Sequence, residues 1–107
     1  MPDLPPVSQI DRAALDRTIL SPSPDVQGTG MEGETVLLDL STGRYYTLNR
    51  LGGVIWDLCD GQRTVRDVHK AICDRFDVMP ERALEDLLAL AEELVQEKVL
   101  QMTKGGE

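Results

Sequence analysis

The chain has 107 residues, enough for one small domain and too few for two. Its net charge of −8 makes phosphate backbones and anionic membranes poor partners, because both are bound through Lys and Arg, and leaves a neutral or basic peptide the better match. No apolar run approaches the roughly 20 residues that span a bilayer, and the start, MPDLPPVSQIDR, lacks the basic-then-apolar layout of a secretory signal, so a cytoplasmic protein without a membrane partner is expected.

In chain order, residues 1–16 are Pro-rich and weakly patterned and read as a mobile tail, with at most a helical turn at Ala13–Leu15. Thr18-Ile19-Leu20 and Val26-Gln27-Gly28-Thr29, separated by Pro22 and Pro24, offer an irregular first strand. Val36, Leu38 and Leu40 then alternate with Thr35, Leu37 and Asp39, and Tyr46 and Leu48 with Tyr45 and Thr47, the period of half-buried strands. Ser41-Thr42-Gly43 makes the turn between them, with Gly43 suited to a positive φ. Asn49 reads as the N-cap of a helix carrying Leu51, Val54, Ile55 and Leu58, which Asp60-Gly61 stops. Thr64 and Asp67 form a capping box for a second helix running to about Phe76, and Pro80 opens the last helix, which runs to about Lys98. The expected fold is α+β and winged-helix-like: a three-stranded antiparallel sheet followed by three helices (β-β-β-α-α-α), in one domain over residues 17–103 with a C-terminal tail at 104–107.

The last helix carries two apolar stripes, Leu84, Leu88, Ala91 and Val95, and Ala83, Leu87, Leu90 and Leu94. Either one stripe faces the core while the other lines a groove, or both pack against the two preceding helices. In a meander of three strands the third, Arg44 to Leu48, is an edge without Pro or negative charge, whose outward side chains are Tyr45 and Thr47. Such an edge can take up another chain by strand addition.

Nothing catalytic assembles. His69 is the one histidine and reads as a half-buried or solvated surface residue; there is no Ser/His/Asp set, no phosphate-binding glycine motif and no metal-ligand spacing. Cys59 and Cys73 lie in helical segments without a CxxC spacing and read as small hydrophobes. Gly52-Gly53 within a helix suggests close packing beneath Trp56, itself expected in the core. An enzyme is therefore not expected, nor is any cofactor or metal.

The runs LLDLSTGRYYTLN, GGVIWDLCDGQRTV and DRFDVMPERALEDLLALAEELVQEKVL resemble the PqqD family, whose members include the RiPP precursor peptide recognition elements. The resemblance spans Ile19 to Met102; the hairpin run is similar to the free-standing recognition proteins of lasso-peptide pathways, and LCDG to the protein of pyrroloquinoline quinone synthesis. It implies a three-stranded sheet on three helices that binds the leader of a ribosomally made precursor as an extra antiparallel strand on the third strand, over the third helix. On this chain it implies that Arg44, Tyr45, Tyr46, Thr47 and Leu48 pair with the leader, that Ala83, Leu87, Leu90 and Leu94 receive its apolar side chains, and that Asp86 holds a basic side chain or an N–H. The family's Asp before the proline of the last helix is Met79 here, which weakens the helix cap.

The function expected is a non-catalytic adaptor that holds a leader peptide and delivers it to a modifying enzyme such as a leader peptidase or a radical-SAM enzyme. The alternatives are a winged-helix DNA-binding regulator and a structural subunit that homodimerises through the same edge. Strands that precede the helices, and six carboxylates against Arg82 and Lys98 on the last helix, oppose the regulator.

Overall fold

The computed structural model describes residues 10–104. A short 3-10 helix, Arg12–Ala14, leads into β1 (Thr18–Pro22), β2 (Val26–Met31), β3 (Glu34–Asp39) and β4 (Tyr45–Leu48). The helices α1 (Arg50–Leu58), α2 (Val65–Arg75) and α3 (Pro80–Gln96) follow, and β5 (Leu100–Lys104) ends the described chain. The expected α+β meander is present as the antiparallel sheet β2-β3-β4, with β3 in the middle and β4 at an edge.

The expected irregular first strand divides between two sheets. Val26 onward joins the meander, whereas Thr18–Pro22 pairs antiparallel with β5, from Thr18↔Lys104 to Pro22↔Leu100. No strand is expected after α3, whose helical reading runs to about Lys98. The helix instead ends in a Schellman-type turn: Lys98 adopts φ 65°, and the N–H of Val99 donates to the carbonyl of Leu94 at 2.8 Å. A lysine, not a glycine, takes this left-handed position, which is why the stop is invisible to a search for Gly or Pro.

The mobile tail expected over residues 1–16 is corrected for its second half: Ile10, Ala14 and Leu15 are buried, and the N–H of Arg66 donates to the carbonyl of Leu15 at 3.1 Å. Thr18, also buried, donates from its hydroxyl to the carbonyl of Ala14 at 2.8 Å and closes this segment onto the domain. Residues 1–9, and 105–107 of the tail expected at 104–107, lie outside the described residues, while Lys104 itself ends β5.

The core gathers Leu37 and Leu48 of the meander, Ile55 and Trp56 of α1, Val68 and Ile72 of α2, and Leu87, Ala91 and Leu94 of α3. Each large aliphatic side chain buried there contributes about 1.5–3 kcal/mol. The inward face of β3 is Leu37 and Asp39, with Leu38 and Leu40 exposed, the opposite of what the stronger apolar set Val36, Leu38 and Leu40 suggests. Asp39 takes an inward place because its carboxylate is used locally. Its Oδ1 accepts from the N–H and the hydroxyl of Ser41 at 2.9 and 2.7 Å, bonds that hold the carboxyl below the usual carboxylate range.

Two glycines set the helix-to-sheet distance. A Cβ at Gly28 would stand 2.6 Å from Trp56 Nε1, so Gly28, not Gly52-Gly53, is the residue beneath the tryptophan. Gly53 lies against the Thr35 side chain of β3 instead. The expected caps form: Asn49 Oδ1 accepts from the N–H of Gly52, and Thr64 and Asp67 make a reciprocal capping box. Met79 gives α3 no side-chain cap, as its replacement of a carboxylate implies.

Candidate functional site

The site starts from the direction of the main-chain groups on β4. The N–H of Asp39 donates to the carbonyl of Arg44 at 2.9 Å, and the register pairs Leu37 with Tyr46 and Thr35 with Leu48. Antiparallel bonding alternates, so Arg44, Tyr46 and Leu48 turn their main chain toward β3, and Tyr45 and Thr47 turn theirs away. On the far side of β3 the N–H of Leu40 donates to the carbonyl of Asp25 at 2.8 Å, so Leu40, Leu38 and Val36 bond to β2, the complementary parity. Among the described residues no main-chain partner covers the outward groups of Tyr45 and Thr47. Tyr45 is also 71% exposed, so the edge is open sterically as well as electronically.

Beside the end of this edge lies a cleft of about 320 Å³ lined by Asn49, Leu51, Gly52 and Ile55 of the α1 start and by Asp86 and Leu90 of α3. Gly52 makes the close approach possible: a Cβ there would lie 3.1 Å from Leu48 Cβ and 3.4 Å from Leu90 Cδ2. Asp86 is partly matched by Arg82, 3.4 Å away on an exposed helix surface. At the other end of the edge, Glu97 Oε1 accepts from Arg44 Nη1 and from the Tyr46 hydroxyl, each at 3.2 Å. A further cleft, of about 370 Å³, opens beside the β3–β4 turn around Asp39, Ser41 and Lys98, where the carboxylate is already engaged by Ser41.

Several expected site residues are placed differently. Ala83, Leu87 and Leu94 are 4%, 0% and 2% exposed, so three members of the expected groove stripe are core, and only Leu90 of that stripe reaches the cleft. Leu48 is buried and its main chain is bonded to Thr35, so it supports the edge from beneath. Arg44 and Tyr46 are tied to Glu97, whereas Tyr45, Thr47, Asp86 and Leu90 keep accessible surface. Asn49, Leu51, Gly52 and Ile55 were read only as a cap and a helical face; their part in the cleft depends on how α1 crosses α3, which local periodicity does not encode.

The remaining polar candidates are structural. His69 is half-buried, and its Nε2 donates to the carbonyl of Pro80 at 2.8 Å, linking α2 to the first turn of α3. Cys59 is buried, and burial together with the Asp60 charge pushes its thiol up to about 12. Among the described residues no three His, Cys, Asp or Glu side chains are grouped to hold a metal ion, and no helix is long and apolar enough to cross a membrane.

Residues 34–100 match the family described as coenzyme PQQ synthesis protein D (PqqD), over more than half of the chain. No curated protein matches. Among solved structures, TbiB1 in complex with the TbiA(beta) leader peptide superposes with a TM-score of 0.70 at 28% identity, over 76% of this chain and 94% of its own. Lasso peptide synthetase B1 complexed with the leader peptide shares the fold with a TM-score of 0.69 at 22% identity, over 77% and 96% of the two chains. The heterocyclase TruD shares it with a TM-score of 0.59 at 19% identity, where the match covers 80% of this chain and 12% of that one, so the fold there is a small part of a larger polypeptide. With its meander, capped helices and matched region, the chain belongs to the PqqD family.

Proposed function

We propose that this protein is a non-catalytic adaptor that binds an extended leader segment of a ribosomally made precursor peptide along β4. One observation carries the reading: the outward main-chain groups of Tyr45 and Thr47 form an open edge that ends at the Asn49–Leu90 cleft. An added antiparallel strand would make bonds to both residues and set alternate side chains toward α3. Two pairs of such bonds contribute about 0.5–1.5 kcal/mol each, and one apolar side chain in the cleft adds about 1.5–3 kcal/mol. That sum is compatible with micromolar binding, about −8 kcal/mol, if further side chains contribute.

Family membership and likeness to TbiB1, whose structure holds a leader peptide, support the choice of ligand. An edge and a cleft are what a peptide-binding adaptor needs, and they support that role here. The partner on this reading is a cytoplasmic modifying enzyme, a leader peptidase, a radical-SAM enzyme or a heterocyclase, to which the held leader raises the local concentration of the core peptide. The acidic α3 opposes the alternative of a DNA-binding helix.

Hydrogen exchange tests the proposal, using a precursor peptide shown to bind this protein. Adding its leader should slow exchange most at the amides of Tyr45 and Thr47, with a smaller effect around Leu90. Unchanged exchange at both amides with a peptide shown to bind refutes strand addition here. Protection that rises with protein concentration in the absence of peptide assigns the edge to a homodimer instead.

A further inference from the structure

We infer that the segment held on β4 is basic, and that Glu93 and Glu97 read its charge two positions C-terminal to the apolar side chain that enters the cleft. This rests on the strand-addition reading, and the experiment below separates the two. β4 runs antiparallel along one flank of α3: Tyr46 touches Glu97, while Leu48 and Leu90 both crowd Gly52. The residues of α3 on that flank recur at helical spacing as Asp86, Leu90, Glu93 and Glu97, one leucine among three carboxylates.

The carboxylates are not used up by the fold. Arg44 and Tyr46 both bond to Oε1 of Glu97, whose side chain stays 40% exposed, and its Oε2 has no partner among the described residues. Glu93 is exposed and likewise lacks an ion pair among them. In an added antiparallel strand, the residue opposite Leu48 faces Leu90 and the cleft, and the residue two places later, opposite Tyr46, faces Glu93 and Glu97. A cation there meets two carboxylates, an anion is repelled by both, and the overall charge of −8 favours the same sign during encounter.

The test uses seven-residue peptides of threonine with leucine at the third position and lysine, glutamine or glutamate at the fifth, fluorescently labelled and titrated at low ionic strength. The lysine peptide should bind tightest, each carboxylate being worth about a two- to five-fold change at an exposed site. The preference should shrink at about 0.5 M salt, where the screening length is roughly 4 Å. In the Glu93→Gln/Glu97→Gln protein, where the new amide at position 97 keeps an acceptor for the Tyr46 hydroxyl, the three peptides should converge.

Equal affinities for the three peptides in the unaltered protein, or an undiminished lysine preference in the double variant, would overturn the charge reading. So would a peptide with lysine two places before leucine that binds as well as the original. Failure of the lysine peptide to saturate at about 1 mM also counts against it. Slowed exchange at Tyr45 and Thr47 with any bound peptide sustains strand addition whatever the charge preference, so the two conclusions fall separately.

Discussion

Thr47→Pro is the most direct probe of the edge. Because Arg44, Tyr46 and Leu48 make the β3 ladder, the Thr47 N–H serves only an incoming strand, and its removal leaves the hairpin's own bonds intact. Proline is tolerated at such outward edge positions, so the cost to folding should stay within about 1 kcal/mol, a shift of roughly 4–8 °C at this size. Binding loses one hydrogen bond, about 0.5–1.5 kcal/mol, and meets a pyrrolidine ring where the peptide main chain should lie. A fall in leader affinity of at least about tenfold is expected by fluorescence anisotropy. Tyr46→Pro is the control, since it breaks the bond to Leu37 and leaves a buried acceptor unsatisfied, at about 1–3 kcal/mol. It should therefore melt below Thr47→Pro. Unchanged leader affinity in Thr47→Pro would refute docking at this edge, and a lower melting temperature for Thr47→Pro than for Tyr46→Pro would refute the assigned parity.

Leu87→Ala should destabilise the fold by about 2–5 kcal/mol in a denaturant titration, because Leu87 is fully buried, whereas half-buried Leu90→Ala should cost less stability and weaken leader binding. The Cys59 thiol has its pKa raised from 9.0 to about 12, so the unfolded chain loses this proton first. Its contribution to stability should be intact below pH 9 and decline between about pH 9 and 12, with a slope no steeper than about 1.4 kcal/mol per pH unit; Cys59→Ala should flatten that part of a stability–pH curve. Duplex DNA at physiological salt should give no saturable gel shift, since α3 presents mostly carboxylates to a groove.

Much of the fold was legible because its boundaries are marked chemically. Asn49, Thr64 and Pro80 announce helix starts through side-chain or φ constraints that need no tertiary context, and all three helices begin there. The hairpin turn was equally plain from Gly43, which takes φ 78°. What escaped depends on contacts distant in sequence. β5 exists because β1 lies beside it, and Leu15 is held against α2 through the N–H of Arg66. The two stripes of α3 are plain in its spacing, but how much of each is core depends on the elements packed around the helix, and Leu88 and Ala91 of one stripe are buried as well as members of the other. Leu87 and Leu94 went inside, and Leu90, only about 60° to one side, reached the cleft.

The inverted face of β3 shows how a strand with apolar residues on both sides chooses its core. Leu37 and Leu38 are equal in hydrophobicity, so alternation alone does not decide between them; Asp39, bonded by Ser41 within the turn, can occupy the inner face without a long-range partner. That choice places Tyr46 and Leu48 inward with Leu37, and Tyr45 and Thr47 outward with Leu38. In β4 the residues whose side chains hold the fold are therefore also those whose main chain bonds to β3. The others, Tyr45 and Thr47, combine free main-chain groups with solvent-facing side chains. Their main chain can be given to a peptide without loss of core or ladder, so strand addition demands no rearrangement of the hairpin. Specificity must then come mainly from what the peptide's own alternate side chains meet beneath the edge, Leu90 in the cleft and the carboxylates of α3 beyond it.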